Sequence, residues 1–391
     1  MNTLVTLTDE QSMIADAVAD LTAEYDHDYW QTCCREGHFV DELWAELGEL
    51  GFLGIAVPEK YGGEEMGIPA LATLIETFAA HGVPLLAFLS TTTMAPLPII
   101  EYGSDNLKNR FLPGIASGDL RFAFAITEPH SGTNASRIRT SATRDGDEYV
   151  VNGEKTYITD AAGADYIQLV TRTTPYEDVA NENPYHGGTL LVVDTDADGI
   201  ETSPLDVSIP EPSGQYTVHF DDVRVPVNNR IGREDAGFSH VFSALNPERV
   251  VTAALAVGLG RFVIEKGADY ANDREIFDAP TGSYQGVQHP LAGAKVAVEQ
   301  AALTLQTAAA AHEAGQRNAA AAANVAKYAA SEAADKAMDA AVQALGGNAF
   351  SHDYPLAALR DWTRFLRIAP VNNEMVLNYV GENLLDLPRS Y

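Results

Sequence analysis

Positive charge is what this chain has least of. Its 25 Lys plus Arg stand against 55 Asp plus Glu in 391 residues, a formal charge of -30. A surface of that sign repels phosphate backbones, which excludes sequence-independent binding of nucleic acid. Lysine occurs only at Lys60, Lys108, Lys155, Lys266, Lys295, Lys327 and Lys336, and the acids are spread along the chain instead of forming one tail. Such a surface repels itself until salt screens it, to within about 3 Å at 1 M. A salt-rich cytoplasm is therefore expected, with an ordinary acidic mesophilic protein as the alternative.

Cysteine is nearly absent: Cys33 and Cys34 are the only two. Neighbours in sequence close a disulfide only in a strained ring, so reduced thiols and an intracellular location are expected. No apolar run reaches the ~18 residues of a membrane span, and Met1 to Asp9 has no basic stretch ahead of an apolar one, so neither insertion nor export is indicated. There is no P-loop and no zinc-ligand spacing. Gly258-Leu259-Gly260 lacks the preceding strand and third glycine of a dinucleotide fingerprint, and reads as a helix-packing site.

What is present divides into three parts, expected as domains over 1–120, 121–232 and 233–391. Apolar residues recur at helical spacing from Thr8 to Ala80, with Thr8 and Gln11 placed as a capping box and Asp41 to Leu50 as an amphipathic helix. Pro58, Gly62, Gly63 and Gly67 interrupt the pattern, which resumes at Pro69 and again through Leu97 to Leu112. From Arg121 short β-rich runs take over, at Tyr149–Asn152, Tyr166–Arg172, Thr189–Val193 and Tyr216–Phe220, with turns expected at Asp145-Gly146, Asn152-Gly153 and Gly187-Gly188. After Val225-Pro226 helical spacing returns, and Ala301 to Ala344 is rich enough in alanine to imply close helix packing or simple helix propensity. Helices, then strands, then helices is not the βαβ alternation of a parallel nucleotide-binding sheet.

The segment Phe124-Ala-Ile-Thr-Glu-Pro-His-Ser-Gly-Thr-Asn134 resembles the signature of the acyl-CoA dehydrogenase family, which usually reads Thr-Glu-Pro, two residues, Gly-Ser-Asp. Here Thr133 and Asn134 stand where the Ser and Asp are usual. The resemblance continues through Gly146-Asp-Glu-Tyr-Val-Val-Asn-Gly-Glu-Lys155, Tyr157-Ile-Thr159, Phe220-Asp-Asp-Val-Arg-Val-Pro226, Arg274-Glu-Ile-Phe277 and Gln343-Ala-Leu-Gly-Gly-Asn348, and so covers nearly the whole chain. It implies a mainly α fold with a middle β domain: an N-terminal helical domain, a β-barrel-like domain and a C-terminal four-helix bundle. It also implies homo-oligomers, commonly tetramers, with FAD bound across a subunit interface, an acyl-CoA substrate and an electron-transfer flavoprotein as electron acceptor.

Residue by residue, the resemblance assigns the flavin ring to Phe124, Ile126, Thr127, Gly132, Thr133, Tyr157 and Thr159. Hydroxyl and backbone groups suit its polar edge, and Tyr157, where relatives carry Trp, supplies an aromatic wall. Thr133 would also face the thioester. Arg274, Phe277, Tyr284, Gln285, Gln343, Gly346 and Gly347 match positions that hold the diphosphate and adenosine, and Arg pairs bidentately with phosphate. For Arg274 a surface ion pair, and for Gly346-Gly347 a helix C-cap, are the structural alternatives. His130 reads as a solvent-facing loop residue.

The implied reaction joins removal of an α proton with hydride transfer from the β carbon, and needs a carboxylate base. Most relatives supply it from a Glu-Gly-Thr segment near the C-terminus, but this chain reads Arg367-Ile-Ala-Pro-Val-Asn-Asn-Glu374, with Pro370 or Ala369 at the Glu position. A second solution in the family places Glu before Arg on an earlier helix, which matches Glu248-Arg249. Glu248 is then the candidate base, with Arg249 bracing the substrate end and Glu374 as an alternative base. Asn372 falls on a family FAD contact. Against Glu248, Asn246 and Pro247 look like an N-cap and first helical residue, where a Glu often only complements the helix dipole. Two other functions stay open: an FAD-binding subunit that lacks its own base and acts beside a partner chain, and a flavin oxidase or monooxygenase on the same fold.

Overall fold

The computed structural model describes residues 3–179 and 183–390. The chain begins as its capping signals dictate: Thr8 Oγ1 accepts from the Gln11 amide and the Gln11 side chain accepts from the Thr8 amide, at 3.2 and 3.1 Å, opening α1 (Asp9–Leu21). It is followed by α2 (His27–Glu36), α3 (Asp41–Glu49), α4 (Gly67–Ala80), α5 (Ala87–Leu89), a π-helical turn (Ser90–Met94), α6 (Pro96–Tyr102) and α7 (Asp105–Ser117). The helical spacing through Leu97 to Leu112 thus resolves into two helices, because Gly103 ends one and Ser104 caps the next through the Leu107 amide.

The middle of the chain forms one eight-stranded sheet. Its strands are β1 (Phe122–Ala125), β2 (Ser141–Asp145), β3 (Glu148–Thr159), β4 (Tyr166–Arg172), β5 (Gly188–Asp194), β6 (Ile200–Pro204), β7 (Gln215–Pro226) and β8 (Arg230–Ile231). The order is β6-β7-β3-β2-β4-β5-β8 with β1 on β4, and only the β1–β4 and β2–β4 pairings are parallel. A short helix, α8 (Tyr176–Val179), lies in the β4–β5 connection. β5 is apolar on both faces for a visible reason: Leu190 and Val192 pack with Phe111 and Phe122, while Leu191 and Val193 pack with Ile167 and Leu169. The sheet is thereby clamped against the N-terminal helices.

One expected turn is absent. Asn152-Gly153 lies inside β3, which runs on to Thr159, with a bulge where the register against β7 shifts between Val151 and Gly153. Gly153 has φ +150°, and a Cβ there would meet the Thr140 Cα at 2.6 Å, so the glycine serves a close strand approach.

The remainder is helical: α9 (Gly237–Asp273), a hairpin of β9 (Glu275–Ile276) and β10 (Ala279–Pro280), α10 (Gln285–Glu313), α11 (Ala319–Leu345), α12 (Leu356–Phe365) and α13 (Asn373–Leu384). Alanine does what its small size permits: Ala326, Ala330, Ala334, Ala337 and Ala341 recur at helical spacing along α11, all buried in the largest core. The expected N-cap at Asn246-Pro247 is corrected. α9 starts at Gly237, and Pro247 lies well inside it, buried, so Glu248 is a mid-helix residue with no helix start to complement. Among the described residues no helix is long and apolar enough to cross a membrane.

The Gly258-Gly260 pair is a packing site, as expected. A Cβ on Gly258 would sit 2.2 Å from the Glu76 carbonyl oxygen on α4, and one on Gly260 would sit 2.8 Å from Val298 on α10. Gly258→Ala should therefore destabilise the fold by about 1–3 kcal/mol, whereas Gly286→Ala, which meets open space, should not. Urea denaturation midpoints of the two variants make the comparison.

Candidate active site

The signature segment is held by a carboxylate buried almost completely. Glu128 Oε1 accepts from Lys155 Nζ and from the Thr140 amide, both at 2.9 Å. Its Oε2 accepts from the Arg139 amide at 2.6 Å and lies 3.3 Å from Nε2 of the exposed His130. Lys155, fully buried, also donates to the Ile126 carbonyl at 2.9 Å. One ion pair thus fastens both ends of the 129–138 loop to β3. Burial opposes ionisation of Glu128, but the Lys155 ammonium and the bonds from Thr140 outweigh it and hold the carboxyl below its usual range. Burial draws Lys155 down to about 8, with Glu128 opposing, which leaves it protonated at neutral pH.

Around this latch the structure brings the expected ring-facing residues together. Phe124, Ile126 and Thr127 are half-buried along and just after β1, and Gly132 and Thr133 are exposed in the loop. The Thr127 carbonyl accepts from the Thr156 amide at 2.9 Å, which ties the loop start to β3. A register shift between Lys155 and Ile158 throws Tyr157 outward, left-handed at φ +58° and 65% exposed. That conformation is costly for a bulky residue. Thr159 Oγ1 accepts from Gln215 Nε2 at 2.7 Å.

The loop also reaches the C-terminal helices. Asn372 caps α13 by accepting from the Met375 amide at 2.9 Å, and its Nδ2 donates to Thr133 Oγ1 at 2.9 Å. Beneath it, buried Lys327 on α11 donates to the Val371 carbonyl at 2.6 Å and to Asn373 Oδ1 at 2.8 Å. Burial and the nearby Arg249 draw Lys327 down to about 8, against Glu374 and Glu332. Arg249 itself donates to Asn246 Oδ1 at 2.7 Å and lies near Tyr379 of α13.

Beside Arg249 stands Glu248, 6% exposed, with Oε2 buried and without a hydrogen-bond partner. Desolvation pushes its carboxyl up to about 8, opposed only by Arg249. A buried orphan carboxyl is costly in the resting fold and is what a proton acceptor poised for a ligand requires. The connection between α12 and α13 offers nothing comparable: Pro370 is exposed, Ala369 is half-buried, and Glu374 points its exposed side chain from the first turn of α13.

The second expected group lies elsewhere. Arg274 follows the end of α9, and Phe277 and Asp278 form the two-residue tip of the β9–β10 hairpin, both left-handed, with Phe277 88% exposed. Tyr284, whose hydroxyl donates to the Ile276 carbonyl at 3.0 Å, and Gln285 open α10, and Gln343 lies exposed in the last turn of α11. Gly346 is the C-cap of α11 and Gly347 follows it, both exposed, so the capping alternative holds for Gly346 whatever else it contacts. Arg274 lines a hollow of about 440 Å³ with Tyr270, Asn348 and Tyr354, and has no ion-pair partner among the described residues. Glu248 and Arg274 are separated by about 39 Å of helix, so one chain does not gather the two groups round one centre.

Sequence models described as the acyl-CoA dehydrogenase N-terminal, middle and C-terminal domains match residues 8–119, 123–223 and 235–385. A relative named acyl-CoA dehydrogenase fadE12, from Mycobacterium bovis, is 42% identical over 98% of both chains. The chain belongs to the acyl-CoA dehydrogenase family. Among solved structures, a glutaryl-coenzyme A dehydrogenase in complex with glutaryl-CoA superimposes with a TM-score of 0.93 at 29% identity, covering 100% of this chain and 98% of that one. An FAD complex of PigA does so at 0.90 and 25% identity, covering 98% and 99%.

This acyl-CoA dehydrogenase family member carries functional-site detail that its sequence had not yielded. The buried Glu128–Lys155 pair is the main omission, although the alternation Tyr149, Val151, Gly153, Lys155 points the lysine inward, where it needs a carboxylate. Lys155→Met should cost about 3–5 kcal/mol by removing that carboxylate's charge partner, and adding Glu128→Gln should recover only part of the loss, because its amide group would face the Arg139 or Thr140 N–H. A double-mutant cycle of urea midpoints measures the coupling.

Proposed function

We propose that the protein dehydrogenates an acyl-CoA thioester between its α and β carbons, with Glu248 as the base that removes the α proton. The observation that carries this reading is the Glu248 carboxyl, buried, raised to about 8 and with Oε2 unpartnered. FAD is the cofactor, and when bound it supplies the acceptor for the hydrogen and electron pair leaving the β carbon. The residues present fit it: hydroxyls at Thr127, Thr133 and Thr159, the outward ring of strained Tyr157, and the Asn372 amide on Thr133 form a polar edge and an aromatic wall. The exposed Arg274, Phe277, Tyr284, Gln285, Gln343, Gly346 and Gly347 suit a diphosphate and adenosine bound between two copies, which accounts for their distance from Glu248. We assign Arg249 to the substrate end, and the remaining assembly, a homo-oligomer in a salt-rich cytoplasm that reduces an electron-transfer flavoprotein, follows the same reading.

Each chain residue then has one task. The Glu128–Lys155 latch fixes the loop that presents Thr133, Asn372 braces that loop from α13, and buried α9 holds the carboxyl where water has little access. Ionised Glu248 takes the α proton on its carboxylate.

The absence of a carboxylate at half-buried Ala369 and exposed Pro370 favours a second reading, a flavin-binding subunit whose base comes from a partner chain. Purified holoprotein in molar salt, mixed without oxygen with butyryl-, isobutyryl-, octanoyl- and glutaryl-CoA, decides between them. Bleaching of the flavin absorbance by one class of thioester is expected; bound flavin that no thioester bleaches supports the second reading. Glu248→Gln should keep FAD and lose bleaching by at least about 100-fold, and a variant that still turned over would remove Glu248 from the role.

The raised carboxyl also sets a stability trend. Because its folded pKa lies above the unfolded value, its contribution is full in acid and is lost as pH rises from the ordinary carboxylate range through about 8. Glu248→Gln has no such loss. Melting temperatures of the two proteins should therefore diverge as pH rises, the variant becoming the more stable on the alkaline side.

A further inference from the structure

Glu248 is not the only orphan on its face of α9. Thr252, one helical turn on and 1% exposed, has Oγ1 buried and without a partner. Helical threonines here normally donate to the carbonyl four residues back, as Thr73, Thr77, Thr304 and Thr307 do. For Thr252 that carbonyl belongs to Glu248, and the bond is not made. An unspent hydroxyl and an unspent carboxyl therefore share one face of a buried helix, at the i, i+4 spacing where side chains meet.

The hydroxyls of the turn packed against that face are committed to backbone carbonyls. Val241 and Ala244 continue the same face and pack with Met94 and Ile99, which turns it toward the π-helical turn at 90–94. The hydroxyls of that turn are already spent on backbone carbonyls: Ser90 on Ala87, Thr91 on Phe122, and Thr92 and Thr93 on Phe88. The turn carries no titratable side chain. Charged groups nearby come from α9 itself, where Arg249 is bonded to Asn246, from α11, where Lys327 is bonded to Val371 and Asn373, and from Tyr379 and Glu374 of α13. Glu76 on α4 is paired with Arg261, further along α9.

We propose that Thr252 is the positioning residue of the base: its hydroxyl turns to donate to Oε2 of ionised Glu248 and holds the carboxylate for α-proton removal. Threonine in a helix populates two side-chain rotamers, so the turn needs no backbone movement. A hydrogen bond to the charged form favours ionisation, which lets a carboxyl raised by burial work near neutral pH. In this structure both the Thr252 hydroxyl and Glu248 Oε2 are unpaired. The inference rests on Glu248 being the base.

The test compares holoenzyme forms of wild type, T252V, T252S, T252A and E248Q. Each is mixed anaerobically with the thioester, of butyryl-, isobutyryl-, octanoyl- and glutaryl-CoA, that bleaches wild-type flavin fastest, from about pH 6 to about pH 10. T252V should shift the rising limb of the bleaching rate upward by about one pH unit, about tenfold slower on the acid side, with half-saturating thioester and melting temperature unchanged. T252S, which keeps the hydroxyl, should restore the wild-type limb. T252A serves if T252V does not retain flavin. A wild-type pH profile in T252V or T252A overturns the inference while leaving Glu248 as base. Persistent bleaching in E248Q, or none in wild type, overturns the base assignment and this inference with it.

Discussion

A helix buried on nearly all sides is the constraint from which the rest of the structure follows. From Val250 to Gly260 every residue of α9 is buried, against α4, α10 and α11. Burial of that kind admits small or apolar side chains and penalises every polar group not given a partner. Arg261 meets the rule in charge: Glu76 receives one arm of its guanidinium, and Glu299, which also takes Lys295 and the Leu4 amide, lies 3.6 Å from its Nε, which makes no hydrogen bond. The same helix therefore supplies rigidity for the site, and of its buried orphan atoms, on His240, Glu248, Thr252 and Arg261, only that of Glu248 belongs to a carboxyl.

Much of the architecture was legible because local chemistry and tertiary packing agree. The Thr8–Gln11 box opens a helix, the run Tyr166–Arg172 is a strand with those bounds, and alanine spacing on α11 matches its buried face. Where reading failed, a tertiary contact had overruled a local signal. Asn-Gly at 152–153 is turn chemistry, yet Thr140 crosses so close that glycine is needed within a strand. Asn-Pro at 246–247 is helix-start chemistry, yet surrounding helices hold α9 continuous through it.

Candidate site residues could be named from the sequence, but their arrangement could not. Thr127, Thr133, Tyr157 and Asn372 could be named from motifs, but that Asn372 reaches across to Thr133 depends on how α13 docks, which no local pattern encodes. Unspent hydrogen-bonding capacity was equally invisible, since Thr252 looks in sequence like any helical threonine. Only the surrounding bonds show that its proton is unclaimed.

The Glu128 latch separates two kinds of change along the chain. Both carboxylate oxygens and the Lys155 ammonium grip backbone at Ile126, Arg139 and Thr140, on either side of the 129–138 loop. Gly132, Thr133 and Asn134, between those anchors, are exposed, with Asn134 accepting from Ser131 and Ser136 and Thr133 from Asn372. The Thr and Asn that depart from the usual Ser and Asp keep acceptor oxygens at both positions, and these take the bonds from Asn372 and Ser136. Because the latch grips backbone, its hold on the two ends of the loop does not depend on which side chains stand at 132–134.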